Sequence, residues 1–218
     1  LSHIHLFRSE GNLEDEKVLR LLTSDKRVEA AQFNHAVQKR ETVPNDPGFA
    51  QQWHHVQGGD HDIDSDLAWD ITTGGSTAAG DRIVVAVLEG GGSNYNHVDL
   101  VDNHWTNDAE VPGNGIDDDE NGFVDDYNGW NSGSNNDAIG AGGHGTSVSG
   151  MIGAVGNNGN GGAGVNWDVE IMQVDMGGGL TESNVIAAYN YPYTMRDLYN
   201  NSNGTSGAFV VATNASWG

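Results

Sequence analysis

Ile83-Val84-Val85-Ala86-Val87-Leu88 is a continuous apolar run in a chain of 218 residues. Six consecutive apolar residues, half of them valine, are typical of a strand that is buried on both faces of a parallel sheet. Residues 168–175 and 208–213 predict two further strands, and residues 145–155 and 181–198, which lie between the strands, predict helices. Strands that alternate with helices predict an α/β fold in which a mostly parallel sheet is covered on both faces.

Irregular segments of unusual length separate these elements. The second predicted helix contains Pro192, and we expect a bend there because proline lacks the backbone donor of a helix interior. Residues 91–143, 156–164 and 200–207 are rich in glycine, asparagine and aspartate and are predicted to be loops. Loops this long in a compact domain commonly bind a ligand.

The charge distribution divides the chain in two. Seven basic residues balance seven acidic ones before residue 45, whereas only Arg82 and Arg196 face 24 acidic residues from Asp46 onward. The whole net charge of −22 therefore belongs to the second part, and a charge of this sign disfavours nucleic acid as a partner. We predict two modules, residues 1–45 and residues 46–218.

The composition excludes several classes of site and protein. The chain has no cysteine, which rules out disulfides, thiolate metal sites and a cysteine nucleophile. No apolar run approaches the roughly 20 residues of a membrane-spanning helix, so no membrane span is predicted.

Within the first module, the pattern favours a helix over 13–22 and a strand over 28–37, and Pro44-Asn45-Asp46-Pro47-Gly48 breaks the chain after them.

Two side chains with catalytic potential lie next to predicted elements. Glu89 directly follows the first strand of the second module, where ligands gather in open parallel sheets. His144 stands between Gly143 and Gly145 at the start of a predicted helix. A carboxylate that orients a histidine supplies two parts of a nucleophilic triad, although either residue alone is more commonly structural.

A series of short motifs is spaced along residues 44–218. The motifs are Pro44-Asn45-Asp46-Pro47, Gln51-Gln52-Trp53, Ala68-Trp69-Asp70-Ile71-Thr72-Thr73-Gly74, Ile83 to Leu88, Asn96-His97-Val98-Asp99-Leu100, Gly143-His144-Gly145-Thr146 and Asn214-Ala215-Ser216-Trp217-Gly218. In this order they resemble the subtilisin-like serine proteases, in which acid, histidine and serine follow one another along the chain. The resemblance implies a three-layer α/β domain of subtilisin type and a secreted or cell-surface endopeptidase that acts on protein or peptide substrates.

The resemblance implies roles for the two candidate catalytic residues. His144 resembles the general base, and Glu89 stands where the family has an orienting aspartate. The extra methylene of glutamate moves the carboxylate by roughly 1 Å, and a displacement of that size can cost on the order of 10²-fold in rate. The triglycine that follows, residues 90–92, replaces the family's usual Thr-Gly-Val. We expect its conformational freedom to compensate for the longer side chain.

The resemblance also implies a substrate cleft and a missing nucleophile. Ser216, Trp217 and Gly218 resemble the strand that pairs with substrate backbone, and Gly177 and Gly178 resemble the opposite wall, a mode of β-augmentation. The family's nucleophile and oxyanion asparagine follow this segment. We therefore expect the chain to be the N-terminal part of a catalytic domain, cut before its last strands and helices and inactive alone.

The only serine with a similar local sequence, Ser206 in Gly204-Thr205-Ser206-Gly207-Ala208, precedes a strand and lacks the proline of the family pattern. It is interpreted as unrelated to catalysis. Residues 1–45 resemble the C-terminal part of the inhibitor-like propeptide, so the protein's own propeptide is an expected partner, and residues 46–218 resemble the N-terminal part of the catalytic domain.

An acidic loop carries the predicted metal ligands. Oxygen donors alternate around Gly122, and hard oxygen ligands in a flexible loop suit calcium, although Asn128 replaces the glutamate that an EF-hand requires. By resemblance, Asp99 and Asn158 belong to a second calcium site. A solvated acidic turn is the alternative. The calcium ligands predicted in the loop are Asp117, Asp119, Asn121, Phe123, Asp125 and Asp126.

Two other functions remain open from the sequence. A non-catalytic descendant that keeps the cleft as a peptide-binding module would explain Glu89 and the missing serine. A calcium-dependent structural or adhesive domain would explain the acidic loop but not His144. Zinc binding by His54, His55 and His61 is set aside because their spacing matches no zinc motif.

Overall fold

The computed structural model describes residues 5–6, 15–33, 42–59 and 61–217. The chain forms two compact units, Leu1–Arg40 and Glu41–Gly218. In the first unit, helix α1 (Asp15–Ser24) lies close to its predicted position. The predicted strand over 28–37 is wrong for residues 28–33, which form no strand and are mostly exposed, because no other described segment pairs with them. Residues 34–37 lie outside the described part of the chain.

A parallel four-stranded sheet forms the centre of the second unit. Its strands are β1 (Val84–Glu89), β2 (Trp130–Asn131), β3 (Glu170–Asp175) and β4 (Val210–Ala215), in the spatial order β2-β3-β1-β4. Every pairing is parallel, and the predicted α/β class with a parallel sheet is confirmed. Only β2 was not predicted, because two residues are too short to give a periodic pattern.

Helices cover both faces of this sheet. Helix α2 (Ser65–Trp69) is short, and α3 (Gly143–Gly153) and α4 (Glu182–Ser202) are the main helices. Val148 and Ile152 of α3 pack on one face of the sheet. Tyr191 and Met195 of α4 are fully buried on the other face, and the predicted three-layer arrangement is therefore confirmed.

Helix α4 continues through Pro192. Pro192 removes one donor from the helix ladder, but it is buried, as its neighbour Tyr191 is, and this tertiary packing keeps the helix intact. The Thr181 hydroxyl caps the start of the helix by accepting from the Asn184 amide. Asn203, in the left-handed conformation, ends the helix beyond the predicted last residue, 198.

The amino end of the second unit contributes an aromatic cluster. Phe49, Trp69 and Trp167 pack together, and His55 is buried against Phe49 and Trp69. The two ring nitrogens of His55 bond the Ser65 hydroxyl and the Ala163 carbonyl. No helix within the described residues is long and apolar enough to cross a membrane.

Candidate functional site

Glu89 and His144 meet at the carboxyl edge of the sheet. Nδ1 of His144 lies 2.8 Å from Oε2 of Glu89. The glutamate is 3% exposed, whereas the histidine side chain is 65% exposed. A carboxylate accepts hydrogen bonds, so this contact fits an imidazole with its proton on Nδ1 and with Nε2 available as an acceptor.

Close backbone packing makes this contact possible. Glu89 is the last residue of β1, and His144 lies in the first turn of α3. A Cβ atom on Gly145 would lie 2.2 Å from the Gly92 carbonyl oxygen and 3.2 Å from Cβ of Glu89. Only glycine at this position lets the helix start so close to the turn that follows β1.

Predicted substrate-binding residues follow the neighbouring strands at the same edge. Because β4 runs parallel to β1, Ser216 and Trp217 emerge beside Glu89, and the Trp217 indole donates to the Leu88 carbonyl at 3.2 Å. Gly177 follows β3 with a φ of +67°, and the neighbouring Gly178 is exposed. Gly218 lies outside the described residues.

An apolar cavity of about 570 Å³ adjoins Trp217. The first part of α4 and the residues just before it form its other walls, and we did not predict this role for them. The available signal was the position of Leu180 directly after the Gly177-Gly178-Gly179 turn. The cavity is lined by Leu180, Thr181, Glu182, Val185, Ile186 and Trp217.

The acidic loop brings together a different set of carboxylates from the predicted one. One oxygen from each of Glu110, Asp119 and Asp126 lies within 4.8 Å of the others. Burial raises the pKa of Asp126 to about 6 and also raises the pKa of Glu110. Oε2 of Glu110 is buried and has no hydrogen-bond partner among the described residues. Glu110 was missed because it precedes the alternating Asp117–Asp126 stretch.

The remaining predicted ligands of this loop stabilise its turns. The Asp117 carboxylate accepts the amides of Asn121 and Gly122, at 3.0 and 2.8 Å. The Asp125 carboxylate accepts two other loop amides, those of residues 114 and 115. Oδ1 of Asn121 accepts the amide of Phe123 at 2.7 Å. These oxygens are already used by backbone donors, and Asp117 and Asp125 do not join the carboxylate cluster.

The second predicted calcium pair lies elsewhere in the unit. Asn158 Nδ2 donates to Oδ1 of Asp99 at 3.1 Å, and the Gly162 amide donates to Oδ2 at 3.1 Å. Asp46, nearby, accepts the amides of Asn157 and Asn158. The structure therefore brings Asp99 and Asn158 together and ties the 156–164 loop to the start of the second unit.

Ser206 lies at the other end of the sheet. It occupies the turn before β4, and Val210 of β4 pairs with Val84, the first residue of β1. Glu89 is at the last residue of β1, and six strand residues span roughly 16 Å. Ser206 is therefore too far from His144 to act with it.

Comparison with known proteins bears on this site. A model of the subtilase family matches residues 80–218. The Subtilisin-like protease 1 of Plasmodium vivax is 51% identical over 76 residues, which cover 34% of this chain and 12% of that protein. The protein of the same name from Plasmodium falciparum (isolate 3D7) is 48% identical over 83 residues, 37% of this chain and 12% of that protein.

Among solved structures, a protease of Pseudoalteromonas arctica PAMC 21717 aligns with a TM-score of 0.45 and 25% identity, over 69% of this chain and 43% of that chain. The matched segments span about an eighth of the length of the curated relatives. The family match, by contrast, covers more than half of this chain and includes Glu89, His144 and Trp217. The chain belongs to the subtilase family.

Proposed function

We propose that this protein is a serine endopeptidase of subtilisin type. The observation that carries the proposal is the 2.8 Å bond between Glu89 and the exposed His144 ring, in a chain that belongs to the subtilase family. Two neighbouring strand ends lie beside the pair, and an apolar cavity adjoins Trp217 at one of them, an arrangement that suits a peptide-binding cleft.

In the proposed mechanism, Nε2 of His144 takes the proton of a serine hydroxyl as that oxygen attacks the scissile carbonyl. The Nδ1 proton stays on the ring, and the Glu89 carboxylate stabilises the resulting imidazolium. His144 then returns the proton to the leaving amine, and water releases the acyl group by the same route. In this proposal the serine and the oxyanion donor follow the Ser216-Trp217-Gly218 segment, as the resemblance implies, and the position of Ser206 at the opposite end of the sheet supports this.

The proposed substrate is an extended segment of a protein or peptide. Residues 216 and 217 on one side and Gly177 and Gly178 on the other offer backbone groups to a peptide strand. The cavity beside Trp217 would accept an apolar side chain of that strand, and Glu182 at its wall would disfavour an acidic one.

We further propose that calcium stabilises the acidic loop. Glu110, Asp119 and Asp126 offer hard oxygen ligands, and the unpartnered Oε2 of Glu110 fits a cation better than a second hydrogen bond. Three carboxylates this close repel one another when ionised, so a divalent cation would remove a destabilising interaction. Asp99 and Asn158 would contribute to a second calcium site.

The location and processing of the protein follow from the same proposal. A secreted or cell-surface position suits an endopeptidase with calcium in place of disulfides. The neutral segment 1–45 would be the C-terminal part of a propeptide, and its helix α1 and the second unit would be separated by processing. A protein retained in the cytoplasm would contradict this part of the proposal.

A fluorophosphonate probe tests the catalytic proposal, because it labels only an activated serine. Wild-type protein at its full natural length should be labelled, and the His144→Ala variant should not. The alternative is a non-catalytic peptide-binding module, which is favoured by glutamate at position 89. Peptide binding without labelling of the wild-type protein would establish that alternative and refute the protease.

A further inference from the structure

Asp175 is a buried carboxylate in the middle of the proposed cleft. It ends β3, where it pairs with Glu89 of β1, and it is 2% exposed. No basic side chain within the described ranges forms an ion pair with it. A buried carboxylate without a basic partner is costly unless several hydrogen-bond donors stabilise it.

Four donors surround the Asp175 carboxylate. Oδ1 accepts the amides of Gly91 and Gly177, at 2.9 and 2.7 Å. Oδ2 accepts the amide of Gly140 at 2.8 Å and the side-chain amide of Asn131 at 3.3 Å. Hydrogen bonds to an ionised acceptor are roughly twice as strong as neutral ones.

The three backbone donors come from three segments of the cleft. Gly91 lies two residues after Glu89, and Gly140 lies four residues before His144. Gly177 belongs to the proposed wall opposite Trp217. One side chain therefore holds the turn after β1, the segment that enters α3, and the turn after β3.

The first two segments are packed without slack. A Cβ atom on Gly140 would lie 2.4 Å from the Gly91 carbonyl oxygen and 3.0 Å from Oδ2 of Asp175. The Gly142 amide donates to the Gly91 carbonyl at 3.0 Å, and Ala141 forms an antiparallel bridge with Gly92. A shift of the segment 140–142 would therefore move the start of α3, and with it His144.

We infer that Asp175 is a positioning residue for the Glu89–His144 pair. Its carboxylate sets the distance between the turn that follows the acid and the segment that precedes the base. Its catalytic significance rests on the proposed function, but the positioning itself is a property of the fold.

The tautomer of the His144 ring tests this inference without any assay of activity. Nitrogen NMR shifts of the neutral ring distinguish an Nδ1 proton from an Nε2 proton, and the His144→Ala variant assigns the signal. The wild-type ring should carry its proton on Nδ1, facing Glu89. The Asp175→Asn variant should lose that preference, because an amide cannot accept hydrogen bonds on both sides, and Glu89→Ala should lose it equally.

Additivity and charge are controlled within the same series. Asp175→Asn should cause no further change in a Glu89→Ala background, since the bond is already absent. Asp168→Asn removes an acid that lies just before β3, at the opposite end of this strand from Asp175, and that forms an ion pair with Arg82. It should leave the tautomer of His144 unchanged. A folded Asp175→Asn variant that keeps the Nδ1 proton would overturn the inference.

A second variant applies if Asp175→Asn does not fold. Asp175→Glu keeps the charge but displaces the carboxylate by a methylene, so it should also weaken the Nδ1 preference. Wild-type behaviour in Asp175→Glu would overturn the inference as well. An Nε2 proton in the wild-type protein would instead refute the Glu89–His144 pair on which the proposed function depends.

Discussion

The carboxyl edge of the sheet and the acidic loop both present carboxylates. They differ in how well the sequence predicted which side chains lie close together. At the edge, Glu89 and His144 are 55 residues apart and lie in hydrogen-bond contact. In the loop, only Asp119 and Asp126 of the alternating aspartates lie in one carboxylate cluster, and Glu110 completes it. Parallel strands bring their carboxyl ends to one line, whereas a loop offers each carboxylate nearby backbone amides that compete for it.

The largest expected effect concerns the Glu89–His144 pair at the sheet edge. His144→Ala should lower peptide hydrolysis by at least about 10³-fold, because the base and its charge stabilisation are both lost. The measurement is kcat/KM on a peptide substrate with the full-length protein. Ser147→Ala, three residues along the same helix and exposed, is the matched control and should retain activity. Equal activity of both variants would refute the role of His144.

A shorter acid at position 89 tests whether the Glu89–His144 pair depends on the position of the carboxylate. Glu89→Asp should lower kcat by on the order of 10²-fold, since the carboxylate would withdraw roughly 1 Å from a ring that the packing of Gly145 holds in place. A rise in activity would show instead that the natural glutamate impairs the site. Glu89→Gln, which keeps the length but removes the charge, separates the effect of distance from that of charge.

Calcium removal tests the loop side of the comparison. At a free calcium concentration 100 times the dissociation constant, a site contributes about 2.7 kcal/mol to the free energy of unfolding, so a chelator should lower Tm by several degrees. Glu110→Gln should make Tm less sensitive to calcium. Glu120→Gln removes an exposed charge from the same loop and should leave the calcium response unchanged. A Tm unaffected by chelator would contradict the calcium proposal.

The smallest expected effect compares two glycines of α3. Gly145→Ala should cost about 1–3 kcal/mol, because its Cβ would meet the Gly92 carbonyl oxygen. Gly150→Ala meets no atom within 4 Å and should stabilise the helix by up to about 1 kcal/mol. Urea denaturation measures both values. Similar effects of the two substitutions would show that α3 does not need a close approach at Gly145.

The sequence predicted strands correctly where a single apolar segment decided the local structure. The apolar run before Glu89 became β1, and the segments 168–175 and 208–213 contain most of β3 and β4. Prediction failed where partners were needed: residues 28–33 pair with no strand in the described part of the chain, and β2 exists only because two residues pair with β3. The assignment of residues 1–45 to a propeptide stays a prediction.

The candidate site shows the same division. The sequence identified His144 and Glu89 as candidate catalytic residues because glycines flank the histidine and the carboxylate follows a predicted strand. Both features can be recognised from neighbouring residues. The cavity beside Trp217 had only one local signal, the position of Leu180 after a glycine turn, because α4 and the segment that follows β4 form the cavity only after packing. The same holds for Asp175, whose importance comes from donors 35 and 84 residues away.

The amino-acid sequence was sufficient for the α/β class, for the Glu89 and His144 candidates and for the resemblance that the family match confirms, since buried strands and short motifs depend on neighbouring residues. Tertiary structure alone decided which oxygens cluster in the acidic loop, why Gly145 must be small and which carboxylate joins the cleft segments. These features depend on distances between segments that are far apart in the chain, and such distances are set only when the sheet and its two helical layers pack together.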